Sequence, residues 1–357
     1  MIYKNWWKWA GFILILYTVI AGLSIPLGPG IASITPGTSI AGDTVRIQVH
    51  TVNAHFLSHP AGLQAGLLGA GISIRPLKVV QKGNNQLEAA FVIPSALIRS
   101  RDKVSLLDIE VGSDYDGMLV YRQSLQVLPD TVFLAGHKAS AMLSTAKIEV
   151  HKANPAFFNF PYRTILYESI RNLYFHVCMW FAMLTLFGVS VVYSVKYLKH
   201  GRPEDDRISS ESINVGVFFG ILGLVTGTIW AKFTWGDWWP NDAKLNGTLI
   251  SMLLYIAYII LRNSLEEEQR RARISAVYNI FAFPMMFVLI IVLPRLTDSL
   301  HPGNGGNPAF SSYDLDSHLR WVFYPACIGW ILIAVWIMTL RLRMRKLEYN
   351  LDDDTSN

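Results

Sequence analysis

The chain has 357 residues, of which 52% are hydrophobic and 16% charged, and its mean hydropathy is positive. A soluble globular protein of this length seldom has that balance, so the composition points to a membrane protein. The net charge of +5 is no nucleic-acid signature, because the basic residues sit in short blocks beside apolar runs, where they orient helices.

Those runs fall at about 10–28, 172–195, 213–231, 246–262, 274–293 and 321–340, each near the roughly 20 residues that a helix needs to cross a bilayer. They predict six spans. The first follows Lys4 and Lys8. Its end, Ala21-Gly22-Leu23-Ser24, has the small residues of a cleavage site, but an uncleaved anchor is the preferred reading.

From 29 to 160 the chain changes character. Gly, Pro, Ser and Thr rise, and segments such as Thr44-Val45-Arg46-Ile47-Gln48-Val49 and Val104 to Val111 alternate with the period of half-buried strands. Asp43, Gly83-Asn84-Asn85 and Asp114 to Gly117 break them apart. This predicts an inserted all-β domain, most simply a sandwich. Ile34-Thr35-Pro36, Ala41 to Val45 and Leu87 to Pro94 locally resemble immunoglobulin-like domains of the transcription-factor type. A connector over 131–170 carries the aromatic stretch Phe157 to Tyr162. The organisation expected is a first helix at 1–28, the β domain with its connector at 29–160, a five-helix domain at 161–345 and a tail at 346–357.

Charge blocks set the orientation. Lys196, Lys199, Arg202 and Arg207 follow span two; Arg262, Arg270, Arg271 and Arg273 lie between spans four and five; Arg341, Arg343, Arg345 and Lys346 follow span six. The positive-inside rule assigns these to the cytoplasm, with both termini. The β domain, the loop around 235–242 and the loop from Pro294 to His318 then face outward. In span three, Gly216, Gly220, Gly223 and Gly227 share one helical face, which reads as close helix packing or as room for the edge of a ligand. Pro284 should kink span five. Cys178 and Cys327 read as small buried apolar residues or a reactive pair. The chain has no Cys-x-x-Cys-His for covalent haem attachment.

The densest stretch is Trp235-Gly236-Asp237-Trp238-Trp239-Pro240-Asn241-Asp242, a loop at a membrane surface. It is an aromatic belt or a platform for a flat, apolar, anionic ligand, with indole faces to stack and indole N–H groups to donate. Two histidines share its side: His176 at the head of span two and His301 in the loop after span five. One alone would read as an interfacial polar group. Two beside a tryptophan cluster suit the iron of a porphyrin, which imidazole ligates most often. His50, His55, His59, His137 and His151 follow no metal-ligand pattern, His200 is cytoplasmic and His318 is a reserve candidate. Haem propionates need cations, and Lys232, Lys244, Arg295 and Arg320 are the nearest; each also suits a lipid headgroup. Asp242 can fix a Trp, Asn or Lys geometry or hold a histidine tautomer. No hydrolytic triad, phosphate-binding glycine loop or metal-hydrolase motif is present.

The tryptophan stretch, followed by Ala243-Lys244-Leu245 and a span with Thr248, resembles the tryptophan-rich signature of the haem-handling proteins of cytochrome c maturation. Among them it is most similar to the haem exporter protein C family. Tyr174-Phe175-His176-Val177 and Leu300-His301-Pro302 match the family's two histidine positions. The resemblance covers span one and everything from about 165 onward. It implies a multi-pass protein of the bacterial inner membrane in which His176 and His301 are axial ligands to a non-covalent, transient haem b. Trp235, Gly236, Trp238, Trp239 and Asp242 would then form the haem-contact loop. It further implies a periplasmic haem chaperone and ABC-transporter membrane subunits as partners, and haem delivery in place of enzyme chemistry. Two other roles stay open: haem attachment of the synthetase type, and a non-haem adapter working through the β domain. Asp237, Pro240 and the inserted β domain depart from the family pattern.

Overall fold

The computed structural model describes residues 5–69, 72–97, 104–129, 143–144, 158–164, 166–297, 299–301 and 315–356. Most of the connector, with His137, His151 and Phe157, lies outside the described residues, as does Pro302. The chain divides into two units, Ile25–Tyr167 and Met1–Ser24 with Glu168–Asn357.

The first unit is a two-sheet β domain, wider by a few residues at each end than the expected 29–160. Its strands are β1 (Gly30–Thr35), β2 (Thr38–Ile40), β3 (Thr44–Val52), β4 (Gln64–Gly69), β5 (Ile72–Ile74), β6 (Lys78–Gly83), β7 (Gln86–Val92), β8 (Ser105–Ser113), β9 (Gly117–Leu128) and β10 (Leu143–Ser144). One sheet has the order β1-β3-β7-β6 and the other β10-β5-β4-β8-β9-β2. In β3, Val45, Ile47 and Val49 point inward while Thr44, Arg46 and Gln48 face water, as the period of two requires. Ile47 and Phe91 from the first sheet meet Leu67, Ile109 and Val127 from the second in one core. The breakers form the turns between strands.

The second unit holds six helices long and apolar enough to cross a membrane. They are α1 (Trp6–Ser24), α2 (Leu173–His200), α3 (Pro203–Trp235), α4 (Ala243–Asn263), α5 (Glu268–Phe287) continuing through a π turn (Val288–Val292) and α6 (Leu293–Leu296), and α7 (Ser317–Ser356). With the β domain inserted between α1 and α2, this is a multi-pass helical membrane protein.

Several boundaries differ from expectation. The first helix ends at Ser24, not 28, because a residue before proline disfavours helical backbone and Pro26 follows. The third begins ten residues early: Pro203 opens it, and Glu204, Asp205 and Asp206 fill its first turn, an N-terminus well matched to the helix dipole. The last helix continues through most of the expected tail.

Side-chain pairs set the directions. Trp230 to Ser169, Asn172 to the Thr226 carbonyl and Ser194 to Ser209 align α2 and α3 antiparallel. Arg262 forks onto Asp206 at 2.8 and 2.6 Å, joining the opposite end of α4 to α3, and Arg341 and Arg345 of α7 reach the buried Glu211 there. The glycine face of α3 packs chiefly on α2. A Cβ at Gly216 would strike Phe187, one at Gly223 would strike Trp180 and one at Gly227 would meet the His176 ring, while Gly220 is covered by Met252 and Met183. Asn279, fully buried, donates to Ser190 and Ser194. The Cys178 and Cys327 sulfurs lie 3.4 Å apart between α2 and α7, both as free cysteines. Pro284 sits inside α5, and the helix widens into the π turn four residues beyond it.

Candidate functional site

The antiparallel order brings the head of α2, the end of α3, the head of α4 and the segment after α6 to one end of the helical unit. Asp242 is the hub there. It is only 3% exposed and caps α4, accepting from the backbone N–H groups of Lys244 and Leu245 at 2.9 and 3.1 Å. An aspartate with extended backbone at this position satisfies two of the donors that a helix start leaves open. The same carboxylate accepts from the Leu300 N–H at 2.7 Å and from His301 Nδ1 at 3.0 Å. It thereby ties the segment after α6 to the start of α4. Burial alone would raise this carboxyl; hydrogen bonds from Ser299, Leu300 and Leu245 and the nearby His301 outweigh it and hold it below the usual carboxylate value. It is therefore an anion that can only accept.

That fixes the His301 tautomer. Nδ1 carries the proton, and Nε2 keeps its lone pair whenever the ring is neutral. Burial and the Lys244 charge push His301 down to about 4, against the upward pull of Asp242. A histidine lowered from 6.5 in this way binds its proton more readily in the unfolded chain. Its contribution to stability is therefore complete above about pH 6.5 and is lost as pH falls toward 4, a difference of roughly 3 kcal/mol. We expect the thermal midpoint of the purified protein to drop between pH 7 and pH 5, and a His301→Gln variant to lose part of that slope.

His176, in the first turn of α2, is held differently. Its Nδ1 lies 3.0 Å from the Gly223 carbonyl and 3.2 Å from Thr226 Oγ1. A carbonyl can only accept, so Nδ1 is again the protonated nitrogen and Nε2 the lone pair, with the Trp180 indole N–H 3.4 Å from it. Trp180 and Trp230 stand edge-on to the ring at 6.0 and 5.7 Å.

The tryptophans divide the work. Trp235, the last residue of α3, meets His301 edge to face at 5.0 Å. Trp239 turns its indole N–H to Asn246 Oδ1 at 3.1 Å, and Asn246 donates to Asn241. Trp238 is 59% exposed and joins neither. Gly236 takes a left-handed φ of 84° at the end of α3, the conformation that glycine adopts without cost, and the Lys232 ammonium caps its carbonyl at 2.7 Å. Among the other cations, Arg320 donates to the Leu315 carbonyl, Arg295 is exposed in α6, and Lys244 sits in the first turn of α4 beside His301. His318 lies 4.0 Å from Asp316 near the start of α7.

Sequence reasoning missed Trp180, Trp230, Thr226 and Asn246. Trp180 had a signal, being four residues from His176 on one helix and so on the same face. Trp230 and Thr226 come from across the α2–α3 interface and had none, whereas Asn246 is only seven residues from Trp239.

Comparison with known proteins identifies the family. A family model described as heme exporter protein C matches residues 131–356. It leaves out the first helix, which the sequence reading had included in the resemblance, and most of the β domain. Heme exporter protein C of Bradyrhizobium diazoefficiens is 28% identical over 112 residues, covering 31% of this chain and 43% of that protein. The protein of the same name from Escherichia coli K12 is 25% identical over 135 residues, 36% of this chain and 51% of its own length. Cytochrome c biogenesis protein CcsA of Prochlorococcus marinus is 39% identical over 85 residues, 24% and 27% of the two chains. The matched stretches thus span about half or less of these relatives. With well over half of its residues inside the family match, the chain belongs to the heme exporter protein C family.

Proposed function

We propose that this protein binds haem on the outer side of the bacterial inner membrane and passes it on during cytochrome c maturation. The cargo is haem b, held non-covalently and transiently between His176 and His301. The observation that carries this reading is the matched state of the two imidazoles. Each commits Nδ1–H to an acceptor, Gly223 O for one and Asp242 for the other, leaving Nε2 as the nitrogen for iron; at His176 the Trp180 indole N–H, which donates to Nε2 at 3.4 Å, gives way to the metal. Ligating histidines are commonly oriented through their second nitrogen by a carbonyl or carboxylate in this way.

The remaining residues shape the pocket. Trp235 walls the His301 side. Trp239, fixed through Asn246, holds the loop, and Trp238 presents an exposed indole to the ring edge or to lipid, with Gly236 giving the loop its turn. Lys244, Arg320, Arg295 and Lys232, which keeps two of its three donors, meet the propionates. Iron coordination supplies the affinity, and release needs only ligand exchange, so no bond-making step falls to this chain. The recipient is a periplasmic haem chaperone, and the membrane subunits of an ABC transporter are companions. The basic blocks at the opposite helix ends support cytoplasmic termini and an extracytoplasmic β domain.

The test is the absorption spectrum of detergent-purified protein, supplied with haem during expression, beside its His176→Ala and His301→Ala variants. A Soret band that weakens or shifts in both is the expected result. A band indifferent to both substitutions would overturn the ligand assignment, and no bound haem at all would overturn the reading.

A further inference from the structure

The β domain carries a second carboxylate–imidazole pair that haem handling does not use. His55 Nδ1 lies 2.9 Å from Asp116 Oδ1, and the other oxygen of the same carboxylate accepts from the His55 backbone N–H at 2.8 Å. The Asp116 side chain is 2% exposed, whereas that of His55 is 47% exposed. A buried carboxylate thus keeps the proton on Nδ1 and turns Nε2, with its lone pair, toward water. A single turn, closed by the His59 N–H on the His55 carbonyl at 2.8 Å, brings a second exposed imidazole alongside. The His59 ring lies flat on Tyr115 at 3.8 Å and 10°.

Both loops are held from outside the pair. Asn84 Oδ1 accepts from the N–H groups of Leu57 and Ser58, and Ser113 Oγ accepts from those of Tyr115 and Asp116. The His55 and His59 ring centres are 6.2 Å apart. A metal–nitrogen distance of about 2 Å, with roughly another 1 Å to each ring centre, lets one ion reach two imidazoles about 6 Å apart when they ligate it from opposite sides.

We infer that His55 and His59 form a site for a divalent late-transition-metal ion of the copper, nickel and zinc class, with Asp116 as its positioning residue. Imidazole nitrogens select this class, and copper binds most tightly within it. Among the described residues no group of three or more histidine, cysteine or carboxylate side chains converges on a metal. The ion therefore takes two nitrogens here and fills its other positions with water. Asp116, the positioning residue, is 61 residues from His55 in the chain.

The test uses the full chain in detergent on a His176→Ala/His301→Ala background, which removes the proposed haem ligands and makes the result independent of the haem reading. Titration with Cu2+ should give one bound ion per chain with nitrogen hyperfine structure in its paramagnetic resonance spectrum. Adding His55→Ala/His59→Ala should abolish that signal, and Asp116→Asn should weaken binding about 10–100-fold. Equal copper binding with and without the two histidines would overturn the proposal. So would a Soret band from added haem that depends on His55, which would make the site one for haem. Should the double variant fail to fold, the unsubstituted chain decides: Zn2+ should protect His55, but not His50, from diethyl pyrocarbonate, and absence of protection would overturn the assignment.

Discussion

Replacing Asp242 with alanine is expected to cost the protein its haem more completely than replacing any single tryptophan of the loop. The carboxylate has five donors around it: the N–H groups of Lys244, Leu245 and Leu300, His301 Nδ1 and the Ser299 side chain. Alanine leaves them without an acceptor at a position that is 3% exposed. Loss of the cap alone costs about 1 kcal/mol, and each buried donor left unpaired adds roughly 1–3 kcal/mol. Expected, then, are a loss of more than about 3 kcal/mol, read as a fall in the thermal midpoint, and disappearance of the Soret band. An asparagine side chain at this position would still offer one acceptor oxygen. Asp242→Asn should therefore keep the fold while lowering haem affinity about 10–100-fold, the usual effect of disturbing a ligand's orienting partner. Asp242→Ala with an unchanged spectrum and midpoint would show that the hub is dispensable.

Asp242 also shows which parts of this molecule were legible beforehand. Spans and strands could be read because period and length are properties of contiguous residues: the alternation over Thr44 to Val49 and the six apolar runs needed no partner to interpret. The glycine face of α3 could be read for the same reason. The aspartate was legible as a group able to hold a histidine tautomer, and its cap on α4 is local, but its bond to Leu300 was not, since that depends on a segment almost sixty residues away. The same limit applied to His176, whose acceptor is a backbone carbonyl on another helix. A carbonyl has no sequence identity, so nothing in the residue pattern could name it. Early starts and late ends of α3 and α7 were missed for a different reason. Their extra turns are charged, and their acids and arginines are paired between helices, as with Asp206 and Arg262, which hydropathy alone cannot see.

The second large effect is expected at Gly247, one turn into α4. A Cβ built there would strike the Leu289 carbonyl oxygen and stand 3.0 Å from its carbon, so alanine collides with backbone and no rotamer change relieves it. The reason for so close an approach lies in the facing helix. Leu289 is in the π turn, where a carbonyl looks five residues ahead for its donor, and the residue five ahead is Pro294, which has no N–H. The Leu289 carbonyl oxygen lies where a side chain at position 247 would begin, the close approach that a glycine permits between packed helices. Gly247→Ala must therefore either push α4 away or refold the π turn. Overpacking of this kind costs about 1–3 kcal/mol, and more where backbone is the obstacle. Because Asn246 holds Trp239 and Asp242 holds His301 at the same end of α4, the displacement should reach the proposed haem pocket. The expected result is a lower thermal midpoint together with a weakened Soret band. Pro294→Ala returns an N–H to the helix and with it a donor for Leu289, so combining it with Gly247→Ala should recover part of both losses. If Gly247→Ala alone leaves midpoint and spectrum unchanged, the close approach of α4 to the π turn does not hold the pocket together.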